Sequence, residues 1–369
     1  MSSTEICGIM AESIKRFYRD AEISIIPVAD GGEGSVDAFL SAVGGKKVNI
    51  NVRGPFTSDV PSFYGILPES DGGVKTAVIE MAACSGLPLA EGNLNPEKTT
   101  TFGAGQLIKA ALDAGCGKII MGLGGSATND GGCGTAAALG VRFFDSADAE
   151  FVPVGGTLKG ISRIDTSGID PRLKKTPLIT MCDIDNPLYG ETGAAYIFGP
   201  QKGADPAMVK RLDAGLLHLA GVVKKDLTID AGKTPGAGAA GGMGFGMKVF
   251  LGSKLQMGIE TVLDTVRFDK RLQNTDIVFS GEGKIDTQSL RGKVVIGIAR
   301  RTKKAGVPLF AVVGDIGDNI EAAYDEGVSA IFSINRVAVP FGEAKLRAKK
   351  DMALTMDTIM RTLQIGRRR

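Results

Sequence analysis

The chain has 369 residues, 43 Lys and Arg against 41 Asp and Glu, and a formal charge of +2. That length is more than one ordinary core fills and suits two domains, and the near balance of charge gives no electrostatic footprint for nucleic acid. Five widely spaced cysteines without a CxxC exclude a disulfide frame and a zinc site and fit a reducing cytoplasm. There is no signal peptide and no apolar run near the ~18 residues a membrane span needs, and Arg367-Arg368-Arg369 reads as a solvated tail.

Taken in chain order, Ser2-Ser3-Thr4-Glu5 reads as a capping box ahead of a helical stripe of Ile6, Ile9, Met10, Ile14 and Phe17. Residues 23–28 read as a strand stopped by the loop Ala29-Asp30-Gly31-Gly32-Glu33-Gly34, with a short helix at about 35–42. From residue 46 the texture turns to strands: KKVNINVRGP, VPSFYGIL and VKTAVIEMA. A helix near 101–114 leads into a strand at 118–122 and then into GLGGSATNDGGCG (122–134), where six of thirteen residues are glycine. So many glycines give up much chain entropy on folding, so this loop needs a use. A strand at 178–182 ends at Asp183, and an amphipathic helix carries His218, the only histidine, for which a structural role is expected. A lone histidine excludes HExxH metal sites and any two-histidine mechanism. The glycine-rich stretch 235–252 is expected to precede a helix. Strands at 276–280, 309–313 and 330–334 then alternate with helices at about 292–305, 318–326 and 342–363, the pattern of a parallel sheet. These elements imply a flavodoxin/Rossmann-like α/β domain built from both chain ends (1–43 and 268–369) and an inserted second α/β domain (44–267).

One motif recurs: an apolar strand runs into a small-residue loop carrying an acid. It occurs in VADGGEG (Asp30, Glu33), GGSATNDGG (Asp130), MCDIDNP (Asp183, Asp185), SGEGKID (Glu282, Asp286) and VVGD (Asp315). In open parallel sheets ligands sit outside the carboxyl ends of the strands, so these loops would converge on a cleft. Oxygen donors without His or paired Cys suit Mg²⁺, although Asp and Gly also make good turns. Lys202, Lys284 and Gly292-Lys293 mark a phosphate side, since a lysine beside helix N-terminal amides makes an anion site. A P-loop is absent, because Gly232-Lys233-Thr234 has Leu227 where the first glycine belongs. A dinucleotide reading remains as a rival: Gly122-Leu123-Gly124-Gly125-Ser126-Ala127 matches G-x-G-x-x-A, with Asp145 as the ribose acid. Glycines at 131 and 132, where the helix should already run, count against it.

With these loops quoted, the chain resembles the bacterial glycerate kinases of the first type. The resemblance is carried by PVADGGEGSVDAF (27–39), TAVIEMAACSGL (76–87), GLGGSATNDGGCG, CDIDNPLYGETGAAYIFGPQKGA (182–204), PGAGAAGGMG (235–244) and SGEGKIDTQSLRGKV (280–294). It implies two α/β domains with ligands between them and transfer of a phosphoryl group from ATP, with Mg²⁺, to D-glycerate, giving 2-phosphoglycerate. Such transfer needs positioning, cations over the developing charge and a carboxylate near the attacking hydroxyl. The catalytic candidates are Asp183 or Asp130 as base or metal-side carboxylate, with Lys202. Candidate substrate and phosphate contacts are Asp30, Gly31, Gly32, Gly124, Gly125, Ser126, Asn129, Gly281, Gly283, Lys284 and Lys293, and Glu282 and Asp286 are candidate metal ligands. The expected partners are glycerate and ATP, with neither nucleic acid nor membrane, and a homodimer left open. The family pattern also implies a strand and a Pro-Asp-Ser-Phe-Lys-like stretch ahead of the helix that begins here at Ser2. A form without them is expected to lack an Asp and a Lys of the cleft. Two alternatives therefore stay open: an impaired or non-catalytic binding form of the scaffold, and a nicotinamide-dependent hydroxy-acid dehydrogenase.

Overall fold

The structure, a computed structural model, describes residues 1–28, 31–69, 73–287 and 289–366. The capping box forms as the sequence expects: Glu5 N–H donates to Ser2 Oγ at 3.2 Å and Ser2 N–H donates to Glu5 Oε2 at 2.8 Å. The helix Ser3–Phe17 that follows lays its apolar stripe on Met352, Met356, Ile359 and Met360 of the terminal helix Phe341–Gly366.

The chain divides into two compact units, Met1–Ala29 with Ile259–Arg369, and Asp30–Gly258. In the first, three parallel strands, Val278–Ser280, Leu309–Val313 and Val328–Ser333, form a sheet with Leu309–Val313 in the middle. The helix Val294–Ala305 covers the sheet with its buried Val295, Ile296, Ile298 and Ala299. The strand expected at 23–28 does not form. At its carboxyl end no donor is left for a ladder, because Pro27 has no N–H and Val28 N–H donates to Ser3 Oγ at 2.9 Å. The helix expected at 318–326 shrinks to Ala322–Asp325, since Asn319 sits at φ +56°, outside helical space.

In the second unit a six-stranded sheet runs β1 (Lys46–Arg53), β2 (Asp59–Leu67), β3 (Thr76–Glu80), β4 (Lys118–Gly122), then β8 (Leu178–Met181) and β9 (Lys254–Gln256). The edge pair β1–β2 and the junction β2–β3 are antiparallel, while β3, β4, β8 and β9 are parallel. Between β4 and β8 the chain makes a small antiparallel sheet of β5 (Arg142–Phe144), β6 (Glu150–Phe151) and β7 (Arg163–Asp165). Leu107, Ile108 and Ala111 of the helix Phe102–Asp113 are fully buried with Ile119 and Met121 of β4. Leu212, Leu216, Leu219 and Val223 of the helix Pro206–Leu227 complete the same core. His218 Nε2 lies 2.7 Å from the Ile161 carbonyl oxygen and so carries a proton toward it, the structural role expected of it.

The unit boundaries fall elsewhere than at 43/44 and 267/268. Helix Ser35–Val43 belongs to the second unit because Val36 and Phe39 are buried against β2, where a Cβ on Gly65 would lie 3.1 Å from Val36. Ile259 belongs to the first, where it fills the space over Gly297. The glycine-rich run 235–252 precedes the helix Gly258–Thr265, as expected, and it also carries helical structure of its own over Ala239–Leu251, broken near its start where Ala240, Gly241 and Gly242 are left-handed. Among the described residues no helix is long and apolar enough to cross a membrane.

Two glycine substitutions test this packing in opposite directions. A Cβ at Gly105 would sit 2.4 Å from the Thr135 carbonyl oxygen and 2.7 Å from Ala138 Cβ, whereas one at Gly8 would meet nothing within 4 Å. Gly105→Ala is expected to lower the urea midpoint, overpacking by about 1–3 kcal/mol outweighing the gain in helix propensity. Gly8→Ala should raise it by about 0.5–1 kcal/mol.

Candidate active site

In the second unit the carboxyl ends of the parallel strands carry the candidate loops. At the centre is Asp130, wholly buried, whose Oδ2 accepts from Thr101 N–H (2.7 Å), Thr101 Oγ1 (2.9 Å) and Gly134 N–H (3.2 Å). Its Oδ1 accepts from Gly132 N–H at 3.1 Å. Burial pushes the carboxyl pKa up, and these donors oppose that shift. Both oxygens of Asp130 are thus engaged within the protein. These four bonds fold the loop around the residue.

Lys202, at the end of the turn Pro200–Lys202, is 2% exposed; its Nζ donates to Ser126 Oγ at 2.9 Å and to the Thr128 carbonyl at 2.7 Å. Burial lowers its pKa to about 7, against the pull of the Asp130 charge. Beside this tie, Thr128 Oγ1 and both polar atoms of the Asn129 side chain are buried without partners. Orphaned buried polar atoms of this kind mark a site that a water or ligand atom completes.

The glycines of this face serve close backbone approach. Gly124 N–H donates to the Gly31 carbonyl at 2.9 Å, a Cβ on Gly122 would lie 2.4 Å from that carbonyl oxygen, and one on Gly124 would lie 2.5 Å from Gly32 Cα. Gly31 and Gly125 adopt φ of +90° and +74°, open to glycine at no steric cost. Glu80, the last residue of β3, is 4% exposed and accepts from Val36 N–H at 3.1 Å, capping the helix Ser35–Val43. Burial raises its pKa, opposed by the helix-terminal amides. Asp183, just past β8 and partly exposed, accepts from Gly258 N–H at 2.6 Å through Oδ1. Asp30 lies outside the described residues.

The other candidates lie in the first unit. Glu282 Oε1 is buried without a partner, and burial raises the pKa of this carboxyl while the Ser289 hydroxyl and Lys293 lower it. Gly281 packs tightly, a Cβ there meeting the Val312 carbonyl oxygen at 2.3 Å, while Gly283 is open on that side. Lys284 is half-exposed and paired with Asp315 at 3.4 Å, and Lys293 stands at the N-cap position of the helix Val294–Ala305 without a side-chain capping bond. Asp286 Oδ1 accepts from Ser289 N–H at 3.2 Å. Among the described residues no three acidic, histidine or cysteine side chains cluster as a metal cage. Glu282 and Asp286 could therefore offer an ion two carboxylates at most.

The sequence reading passed over three contributors: Glu80, Thr101, and the left-handed run Ala240-Gly241-Gly242 that packs on Thr128 and Asn129. Glu80 and the glycine run lie inside the motif blocks 76–87 and 235–244, whereas Thr101 carries no signal in the sequence. The dinucleotide fingerprint fails on geometry, since Gly131 and Gly132 are left-handed and a helix starts only at Cys133. Asp145 accepts from Ala147 and Ala149 N–H in the turn between β5 and β6, away from any parallel strand end.

A largely parallel sheet with acidic and glycine loops at its carboxyl ends has the layout of an α/β enzyme that handles ligands at strand ends. The sequence profile of the glycerate kinase family matches residues 1–364. The glycerate 2-kinase of Escherichia coli K12 is 42% identical over 369 residues, covering 100% of this chain and 96% of its own. The glycerate kinase of Bacillus cereus is 42% identical over 367 residues, covering 99% and 95%. A crystal structure assigned to a glycerate kinase 2 of Salmonella typhimurium LT2 superposes with a TM-score of 0.87 at 38% identity, covering 100% of this chain and 96% of that one. The chain belongs to the glycerate kinase family and is an enzyme.

Lys202 makes a testable signature. Its native pKa lies below the usual lysine value, so the unfolded chain binds the extra proton between about pH 7 and 10.5. Wild-type stability should therefore rise across that window, and the rise should vanish in Lys202→Met, as followed by urea unfolding at several pH values.

Proposed function

We propose that this enzyme transfers the γ-phosphoryl group of ATP to a hydroxyl of D-glycerate, forming 2-phosphoglycerate. The observation that carries the proposal is the carboxyl-end face of the second unit. There a rigid glycine loop, held by Asp130 and Lys202, leaves Asn129 and Thr128 with polar atoms to offer, and Asp183 stands partly exposed at the end of β8. The name of the E. coli relative, glycerate 2-kinase, supports the choice of product.

In this reading Asp183 accepts the proton of the attacking hydroxyl, and its bond from Gly258 N–H holds the carboxylate in one orientation. Asn129 and Ser126 bind polar groups of the small acid. Within the first unit, taken by itself, Lys284, Lys293 and the amides of 281–283 are the groups suited to phosphate oxygens, because phosphoryl transfer rests on positioning and on cations placed where charge develops. Mg²⁺ fits the donor set here: hard carboxylate oxygens, with Glu282 Oε1 buried and unpartnered. With Glu282 and Asp286 as its only protein carboxylates, such an ion would complete its shell with phosphate oxygens and water. It would supply neutralisation of charge on the transferring group. The unpaired cysteines are compatible with work in a reducing cytoplasm.

The test is ADP release with Mg-ATP and D-glycerate, with the product resolved by ³¹P NMR. Formation of 3-phosphoglycerate would correct the product, and absence of ADP release from well-folded protein would overturn the reading. Asp183→Asn keeps an acceptor for Gly258 N–H and should lower kcat by about 10²–10⁴-fold with an almost unchanged Tm. A near-normal kcat would remove Asp183 from the role of base.

A further inference from the structure

The second unit holds a cavity of about 630 Å³ that none of the chemistry above uses. It opens beside Pro177 and Leu178, at the amino end of β8, whereas the candidate site gathers at the carboxyl ends. Its floor is apolar, with buried Leu173, Val249 and Phe250, and half-exposed Ile229 at the mouth. Lys174 and Lys175, in the last turn of the short helix Pro171–Lys175, stand on its rim. Neither lysine has a hydrogen bond or ion pair among the described residues, no acid lines the cavity, and four acids next to or near lining residues in the chain are paired elsewhere. Asp170 is bound to Arg172, Asp226 to Lys225, Asp230 to Lys224 and Asp165 to Arg142. An apolar floor under two uncompensated positive charges fits one chemistry, an organic anion with an apolar body.

The cavity is also mechanically joined to the glycine loop. Val249, Phe250 and Leu251 on its wall end the segment Ala239–Leu251, which abuts the loop backbone to backbone both at Gly246, within its helical part, and at the left-handed break 240–242. A Cβ on Gly241 would sit 2.0 Å from the Thr128 carbonyl oxygen, and one on Gly246 would sit 2.6 Å from that of Gly131. The geometry points to a regulatory site: an organic anion with an apolar body binds this cavity and, through the helix Ala239–Leu251, stiffens the loop 126–134. Occupancy lowers the free energy of the packed helix and thereby the population of locally opened loop conformations.

The probe is 8-anilinonaphthalene-1-sulfonate, an aromatic body with one negative charge, titrated into the full chain by fluorescence. Saturable binding is expected, weakened by salt and about tenfold weaker in Lys174→Glu/Lys175→Glu. Should the charge-reversed protein melt early, Lys174→Gln/Lys175→Gln serves the same comparison with a smaller loss. At a concentration that just saturates the wild type, hydrogen exchange of amides 126–134 and 239–251 should slow in the wild type and slow less in the variant, in proportion to its lower occupancy. This readout does not depend on phosphoryl transfer, so it stands or falls apart from the proposed reaction. Equal affinity of wild type and variant would overturn the site, and unaltered exchange in the loop at saturation would overturn the coupling.

Discussion

A carboxylate buried without solvent is tolerated only where donors surround it, and Asp130 meets that condition with four hydrogen bonds from three residues. Two of those donors are amides of the same loop, which folds around its own acid. Thr101 supplies the other two, so the start of the helix Phe102–Asp113 is tied to the loop end of β4. Lys202 adds a second buried polar group and fixes the loop from the opposite flank through Ser126 and Thr128. The rigid face that offers Asn129 depends on this arrangement, in which buried polar groups hold one backbone conformation.

The glycines then acquire a reason other than anion binding. Gly122 and Gly124 lie against Gly31 and Gly32 on one side, and Gly131 and Gly132 lie against Gly242 and Gly246 on the other. Side chains at these contacts would force the layers apart, so glycine pairs allow three segments distant in sequence to stack backbone on backbone. Glu80 completes the arrangement by holding the helix that follows Gly31 and Gly32. The loop is in this sense a packing element first, and its unpartnered polar atoms on Thr128 and Asn129 are held in place by that packing.

Local signals were read well where local physics decides. Ser2 and Glu5 form their box, and β1, β2, β3, β4 and β8 lie where their apolar patterns placed them. Local pattern and structure part where a partner distant in the chain captures a backbone group. Val28 gives its amide to Ser3, so an apolar run that looks like a strand remains irregular. Ala240-Gly241-Gly242 carries no sequence signal for its left-handed turn, which lets the segment Ala239–Leu251 dock through Gly241, Gly242 and Gly246 on Thr128 and Gly131. Asp130 was visible as an acid in a glycine loop, while its commitment to Thr101 was not, because nothing in the spacing joins residues 101 and 130.

The sequence by itself determined the α/β class, the element order and the set of acidic and glycine loops at strand ends, since these follow from periodicity, caps and turn chemistry acting over a few residues. It also carried the family likeness through long, ordered motif blocks. Tertiary structure alone decided what each acid does: Asp130 and Glu80 turned inward to bind amides, while Asp183 was left partly open at the end of β8. The reason is desolvation. Whether a carboxylate is a scaffold or a reactive group depends on which donors surround it and how much water it keeps, and both are properties of packed neighbours instead of neighbours in the chain.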